Sequence, residues 1–160
     1  MKIYILVLLT IGILMYAVSL FLPVFNVHRE HSVLKVQIEP YKEYYVFEAK
    51  ENSNNTYKGI FALEWGWWGL LMNQYAWLAN IILIPIIVCI ATKNYKFGLI
   101  LSLAALMLCL QSYMFHKIPQ DEGGVVIDKV DSLAIGFYVW LSSFIVFAIC
   151  SILGLYTRPE

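Results

Sequence analysis

The chain has 160 residues, of which 61% are hydrophobic and 16% aromatic, with a mean hydropathy of +0.70. Eleven basic and eleven acidic residues leave a net charge of zero, which excludes the basic footprint of a general nucleic-acid binder. All the charged residues lie outside four runs, Ile3–Val27, Trp65–Thr92, Phe97–Phe115 and Ser132–Thr157, each long enough to cross a bilayer as a helix. Together the runs fill over half the chain and leave no room for a separate soluble catalytic domain, so the expectation is one membrane domain, residues 1–160, with lipid as its solvent.

The first helix is expected over residues 3–22, with Pro23 at its exit. Lys2, an apolar stretch and Ala17-Val18-Ser19 also fit a signal peptide. The apolar run continues through Leu20-Phe21-Leu22-Pro23-Val24-Phe25, longer than such a peptide needs, and a retained span is the preferred reading.

Residues 26–59 form a loop too long to be a simple connector. His28-Arg29-Glu30-His31 sets two histidines three apart, a pattern too common to specify zinc without a third ligand. Leu34-Lys35-Val36-Gln37-Ile38-Glu39 alternates apolar and polar, and Tyr44-Tyr45-Val46-Phe47-Glu48-Ala49 is rich in aromatic and β-branched residues. With Pro40 between them, the two segments predict a small hairpin on the outer side. Glu51-Asn52-Ser53-Asn54-Asn55-Thr56 reads as a polar loop.

The stretch from Ile60 to Thr92 is too long for one upright span, and Asn73-Gln74 divides it. Trp65, Trp67 and Trp68 favour the membrane–water interface, where an indole ring and its N–H are both satisfied. Residues 59–72 are therefore expected to form an interfacial helix, and residues 74–91 a second span with Pro85 as its bend. The third span, 97–116, follows after a short connection and makes an antiparallel helix pair with the second. Residues 117–131, with Pro119 and Gly123-Gly124, are expected as an outer loop before the fourth span, 132–156. Gly136, Ser142, Ser143, Ser151 and Gly154 in that span are small enough to allow close helix packing. The fold class is thus an all-α membrane protein, a four-transmembrane-helix bundle carrying an outer β-hairpin loop and a Trp-rich interfacial helix.

Orientation rests on the 92–97 connection, Thr-Lys-Asn-Tyr-Lys-Phe, which carries two lysines and no acid. Both termini are expected on the cytoplasmic side with Lys2, Lys93, Lys96 and Arg158, and ten of the eleven acids then fall outside.

Asn80 and Gln111 are the clearest polar residues inside the spans. Facing each other across the helix pair they could bond; the alternative is a ligand or ion site. No ionisable residue lies deep in any span, which argues against a proton-coupled transporter. Cys89, Cys109 and Cys150 each fall in a different helix and read as packed thiols. No nucleophile–base set, phosphate-cradling loop or Cys-x-x-Cys pair is present, so neither enzyme activity nor a cofactor is expected. Glu64, Trp65, Trp67, Trp68, Tyr44, Tyr45 and Phe47 are the candidate partner-binding residues, because exposed aromatic clusters favour protein contacts and Glu64 is the acid closest to an apolar segment.

Four segments, Ser19-Leu20-Phe21-Leu22-Pro23-Val24-Phe25, Gly59-Ile60-Phe61-Ala62-Leu63-Glu64-Trp65-Gly66-Trp67, Trp77-Leu78-Ala79-Asn80 and Gly136-Phe137-Tyr138-Val139-Trp140-Leu141-Ser142-Ser143, resemble a group of small four-span inner-membrane proteins of Gram-negative bacteria. Members of that group carry a proline directly after the Trp-Leu-Ala-Asn segment, where this chain has Ile81 and places Pro85 further on. The resemblance implies an inner-membrane location and this fold, but no reaction. By size and shape the chain is also similar to membrane immunity proteins that protect bacteria from pore-forming toxins, an analogy of architecture alone. The functional expectation is a non-enzymatic membrane protein that binds a protein partner, as a toxin-immunity protein or an accessory subunit of a membrane complex. The alternative is a small homo-oligomeric channel or transporter subunit, its pore lined by Asn80, Gln111 and serines.

Overall fold

The computed structural model describes residues 2–30, 54–119 and 127–157. The predicted hairpin over residues 34–49, and with it Tyr44, Tyr45 and Phe47, lies outside the described residues.

The chain is mostly helical. Helix α1 (Ile3–Ser19) leads into strand β1 (Pro23–Glu30); strand β2 (Asn54–Lys58) leads without a break into helix α2 (Gly59–Trp65) and a 3-10 helix, Gly66–Met72. Helix α3 (Leu78–Ala91) and helix α4 (Tyr95–Leu110) form a tight pair, and a 3-10 turn, Gln111–Met114, extends α4. Strands β3 (Lys117–Pro119) and β4 (Ile127–Leu133) precede helix α5 (Ile135–Tyr156).

With its terminal 3-10 turn, α4 gives a continuous apolar helix, Tyr95–Met114, about 30 Å long at 1.5 Å per residue. This segment and α5 are long and apolar enough to cross a membrane, whereas α1 and α3 are apolar but shorter. Only 28% and 39% of the most apolar stretches of the two long helices are buried within the protein. A core helix of a soluble protein would be covered on most of its surface.

Helix α5 packs along both α1 and α4, and α3 packs chiefly on α4. Close approach is achieved where a glycine faces a ring: Gly12 of α1 lies against Phe147, and Gly154 of α5 against Tyr95. The core between the helices is built from Ile5, Leu9, Leu83, Ile86, Phe144 and Phe147, with the thiols of Cys109 and Cys150 among them. All three cysteines are free, and Cys150 Sγ donates to the Ile5 carbonyl at 3.4 Å across the α1–α5 contact.

The α3–α4 turn closes without glycine. Lys93 takes the left-handed conformation at φ 62°, Asn94 N–H bonds the Cys89 carbonyl at 2.7 Å, and Lys93 N–H bonds that of Ile90 at 3.1 Å. This pair of bonds is the Schellman arrangement, which satisfies the last carbonyls of α3. The same arrangement ends the 3-10 helix at Asn73, where Gln74 N–H reaches the Gly69 carbonyl at 2.8 Å. Helix α3 continues unbroken through Pro85.

A small antiparallel sheet of order β2-β1-β4-β3 caps one end of the helices. Its position follows from connectivity, since β1 leaves α1, β2 enters α2, β3 follows α4 and β4 enters α5. Val24, Phe25 and Val27 of β1 are buried with Phe137 in a second core, and Trp140 and Leu141 belong to both cores and join the sheet to the helices.

The sheet corrects several sequence expectations. The first helix ends at Ser19 rather than at 22, because Pro23–Glu30 is drawn into pairing with both β2 and β4. The polar loop expected over residues 51–56 contains the start of β2, and the outer loop expected over 117–131 contains β3 and all but the last two residues of β4. The last helix begins at Ile135 rather than 132, since Ser132 and Leu133 pair with Asn26 and Phe25. The interfacial helix expected over residues 59–72 coincides with α2 and its 3-10 extension.

Candidate partner-binding surface

The end of the molecule away from the sheet carries lysines without acids among the described residues, whereas the sheet end carries both signs, with Lys58, Lys117 and Lys129 on its strands. Lys2, Lys93 and Lys96 are exposed near the α3–α4 turn and the start of α1, while Glu64, Asp128 and Asp131 belong to the sheet end, with α4 spanning the distance between.

At the sheet end, β2 and α2 carry an aromatic ladder. Tyr57 stacks on Phe61 with ring centroids 4.4 Å apart, and Phe61 stacks on Trp65 at 6.5 Å. Phe61 and Trp65, four apart on α2, lie one above the other on a helical face, and Tyr57 reaches Phe61 from the end of β2. The ladder finishes on Trp65, 53% exposed, and Trp67 is 44% exposed. Glu64, directly before Trp65, is exposed. These three sequence-predicted residues therefore lie together on one short segment; Trp68 lies on the same 3-10 helix.

Two groups hold that segment in place. Gly59 packs directly on the Ser19 carbonyl, and its N–H donates to Leu22 O at 3.0 Å, while Ile60 N–H donates to Leu20 O at 2.7 Å. At the other end, Trp77 Nε1–H donates to the Leu63 carbonyl at 2.8 Å, with its indole pressed on Gly66. The Trp-rich segment is thus fixed to the end of α1 and to the start of α3, so its exposed rings are presented by a rigid frame.

Asn80 and Gln111 do not meet. Asn80 Oδ1 accepts from Tyr16 O–H at 3.1 Å and from Trp140 Nε1–H at 3.0 Å, joining α3 to α1 and α5. Gln111 instead receives the Tyr75 N–H on Oε1 at 2.7 Å and donates from Nε2 to the Asn73 carbonyl at 3.0 Å. Each amide side chain serves a different junction: one ties three helices, the other supports the turn leading into α3. The expected Asn80–Gln111 bond is therefore replaced by two sets of partners that the sequence spacing does not reveal. Replacing Gln111 by Leu is expected to cost about 0.5–1.5 kcal/mol. The loss should be local, seen as faster hydrogen exchange at the Tyr75 amide and unchanged exchange in α5.

Asp128, expected in an exposed loop, is fully buried on β4 and accepts the Tyr57 O–H on Oδ2 at 2.6 Å. A buried carboxylate needs such partners to offset its lost hydration. The bond fixes β4 to the base of the aromatic ladder. The sequence held no strand signal here, since Ile127-Asp128-Lys129-Val130-Asp131-Ser132-Leu133 spaces its apolar residues three apart rather than two.

His28 falls on β1, and His31 lies outside the described residues. Among the described residues no group of three or more His, Cys, Asp or Glu side chains is placed to hold a metal ion. No family model, curated protein or solved structure matches the chain.

Proposed function

We propose that the chain is a non-enzymatic integral membrane protein, its four apolar helices bundled across a bilayer and its sheet end binding a protein partner. The observation that carries this reading is the sidedness of the helices. Leu6, Leu14, Ile84, Phe97, Ile100, Met107 and Ile149 point outward, whereas Ser19, Ser102, Ser143 and the Asn80 amide point inward. So many large apolar side chains exposed on the helices are unusual for a soluble monomer and suit a lipid surrounding. Helices α1 and α3, shorter than a bilayer core, are extended at the sheet end by residues 20–22 and 75–77. The exposed lysines at the α3–α4 turn favour a cytoplasmic location for that end and for both termini. The resemblance noted above favours a bacterial inner membrane.

Exposed Trp65 and Trp67 on a fixed segment beside Glu64 supply the partner surface, since tryptophans on rigid supports dominate protein interfaces. A toxin recognised within the membrane or a larger membrane complex would both engage such a surface. Against the channel alternative, two of the residues expected to line its pore, Asn80 and Gln111, are engaged in bonds that hold the protein together.

The test is photocrosslinking in native membranes from a benzophenone amino acid at Trp65, with the same probe at Lys93 as control. One stoichiometric protein captured from position 65 and not from position 93 is expected. A chain that captures only copies of itself, and conducts ions when reconstituted, would overturn the partner reading.

A further inference from the structure

A cleft of about 250 Å³ opens where the end of α4, strand β4 and the start of α5 meet. Its walls include Tyr113, Tyr138, His116, Asp131 and Ser132. The two tyrosines are held in place by the buried Phe137 ring, which meets Tyr113 edge-on at 5.4 Å and 85°, and Tyr138 at 5.3 Å and 77°. Ser132 Oγ accepts from Asn26 Nδ2 at 2.9 Å, which leaves its own proton to donate elsewhere.

We propose that this cleft is a binding site for the zwitterionic headgroup of a phospholipid bearing a primary ammonium, that is, phosphatidylethanolamine. The inference rests on the membrane reading above and adds a ligand to it. Aromatic rings attract a cation through their quadrupole, and Tyr113 and Tyr138 share the cleft wall with Asp131, which supplies the matching negative charge. Asp131 has another interaction of its own, but a carboxylate offers about four acceptor sites and can take a further donor. A primary ammonium brings three N–H donors for these acceptors, whereas a quaternary ammonium brings none. The His116 ring and the Ser132 hydroxyl, also on the cleft wall, provide donors for the phosphate. The position is right for a lipid. Tyr113 ends the long α4 segment and Tyr138 lies in the first turn of α5, so the cleft sits where the apolar belt gives way to the sheet. Met114 and Ile135, neighbours of the cleft along the chain, are exposed and continue it with an apolar surface for acyl chains.

The test uses the full chain in mild detergent, offered equal amounts of phosphatidylethanolamine, phosphatidylcholine and phosphatidylglycerol with identical acyl chains, with bound lipid read by native mass spectrometry. An excess of phosphatidylethanolamine over phosphatidylglycerol of about five-fold is expected, with phosphatidylcholine between them. Asp131→Asn and Tyr138→Leu should each bring that ratio close to one while phosphatidylglycerol retention stays unchanged, which also reports that the variants are folded. Equal retention of all three lipids by the unaltered chain, or a preference that survives both substitutions, overturns the proposal. So does free phosphoethanolamine binding as well as the lipid, since the source would then be soluble. Flotation with vesicles of phosphatidylcholine alone separates the two readings. A chain that fails to float defeats the membrane reading itself; one that floats but shows no headgroup preference defeats only the lipid site.

Discussion

Gly59→Ala is expected to destabilise the protein by about 1–3 kcal/mol, the range for overpacking a filled site. A methyl group at this position would stand 2.4 Å from the Ser19 carbonyl oxygen and 2.8 Å from Leu20 Cα. Both are backbone atoms, so no side-chain rotation relieves the contact. Retreat of α2 is also resisted, because Gly59 N–H and Ile60 N–H are bonded to Leu22 and Leu20 at 3.0 and 2.7 Å. The same stretch is gripped from its other side by Gly136, where a Cβ would lie 2.7 Å from the Pro23 carbonyl oxygen. Two glycines thus clamp the passage from α1 to β1, and Gly136→Ala should behave alike. Thermal unfolding in mild detergent checks this, with Ile60→Val on the exposed face of α2 as a control expected to stay within about 0.5 kcal/mol of the unaltered chain. A Gly59→Ala protein as stable as its parent would mean that α2 is not docked on the end of α1.

The clamp explains where the sequence was readable. Apolar runs without charge announce helices because packing acts residue by residue, and α4 with its 3-10 extension to Met114, like α5, falls within a few residues of its expected bounds. The helical character of residues 59–72 was equally plain, since the segment is apolar and free of breaking proline. The sheet was hidden for the opposite reason. Val24, Phe25 and Val27 prolong the apolar run of α1, and only pairing with β2 and β4 turns them into a strand. Asp128 reads as a solvated loop acid until Tyr57, 71 residues away in the chain, is brought to it. Of the candidate surface, Glu64, Trp65 and Trp67 were recognisable from composition alone. The role of Trp77 was not, since it depends on the Leu63 carbonyl and the missing side chain of Gly66. Local chemistry is legible in a single chain; pairings that depend on distant partners are not.

Asn80 offers the sharpest separation between a structural and a conducting role. Its Oδ1 is the shared acceptor of Tyr16 O–H from α1 and Trp140 Nε1–H from α5. Asn80→Leu keeps the approximate volume and removes both bonds. Hydrogen bonds between helices in a bilayer average about 0.6 kcal/mol and reach about 1.7, so a loss of about 1–3 kcal/mol is expected. Part of this loss should come from the stranded Tyr16 hydroxyl. Adding Tyr16→Phe to Asn80→Leu is therefore expected to cost less than the sum of the single changes, measured as a double-mutant cycle of unfolding in mixed micelles. Strict additivity would show that the two side chains do not interact. Were Asn80 instead part of an ion path, Asn80→Leu would leave stability unchanged and abolish conductance in liposomes. The bonds at 3.1 and 3.0 Å favour the first outcome, because an amide oxygen already holding two donors from neighbouring helices is committed to joining them.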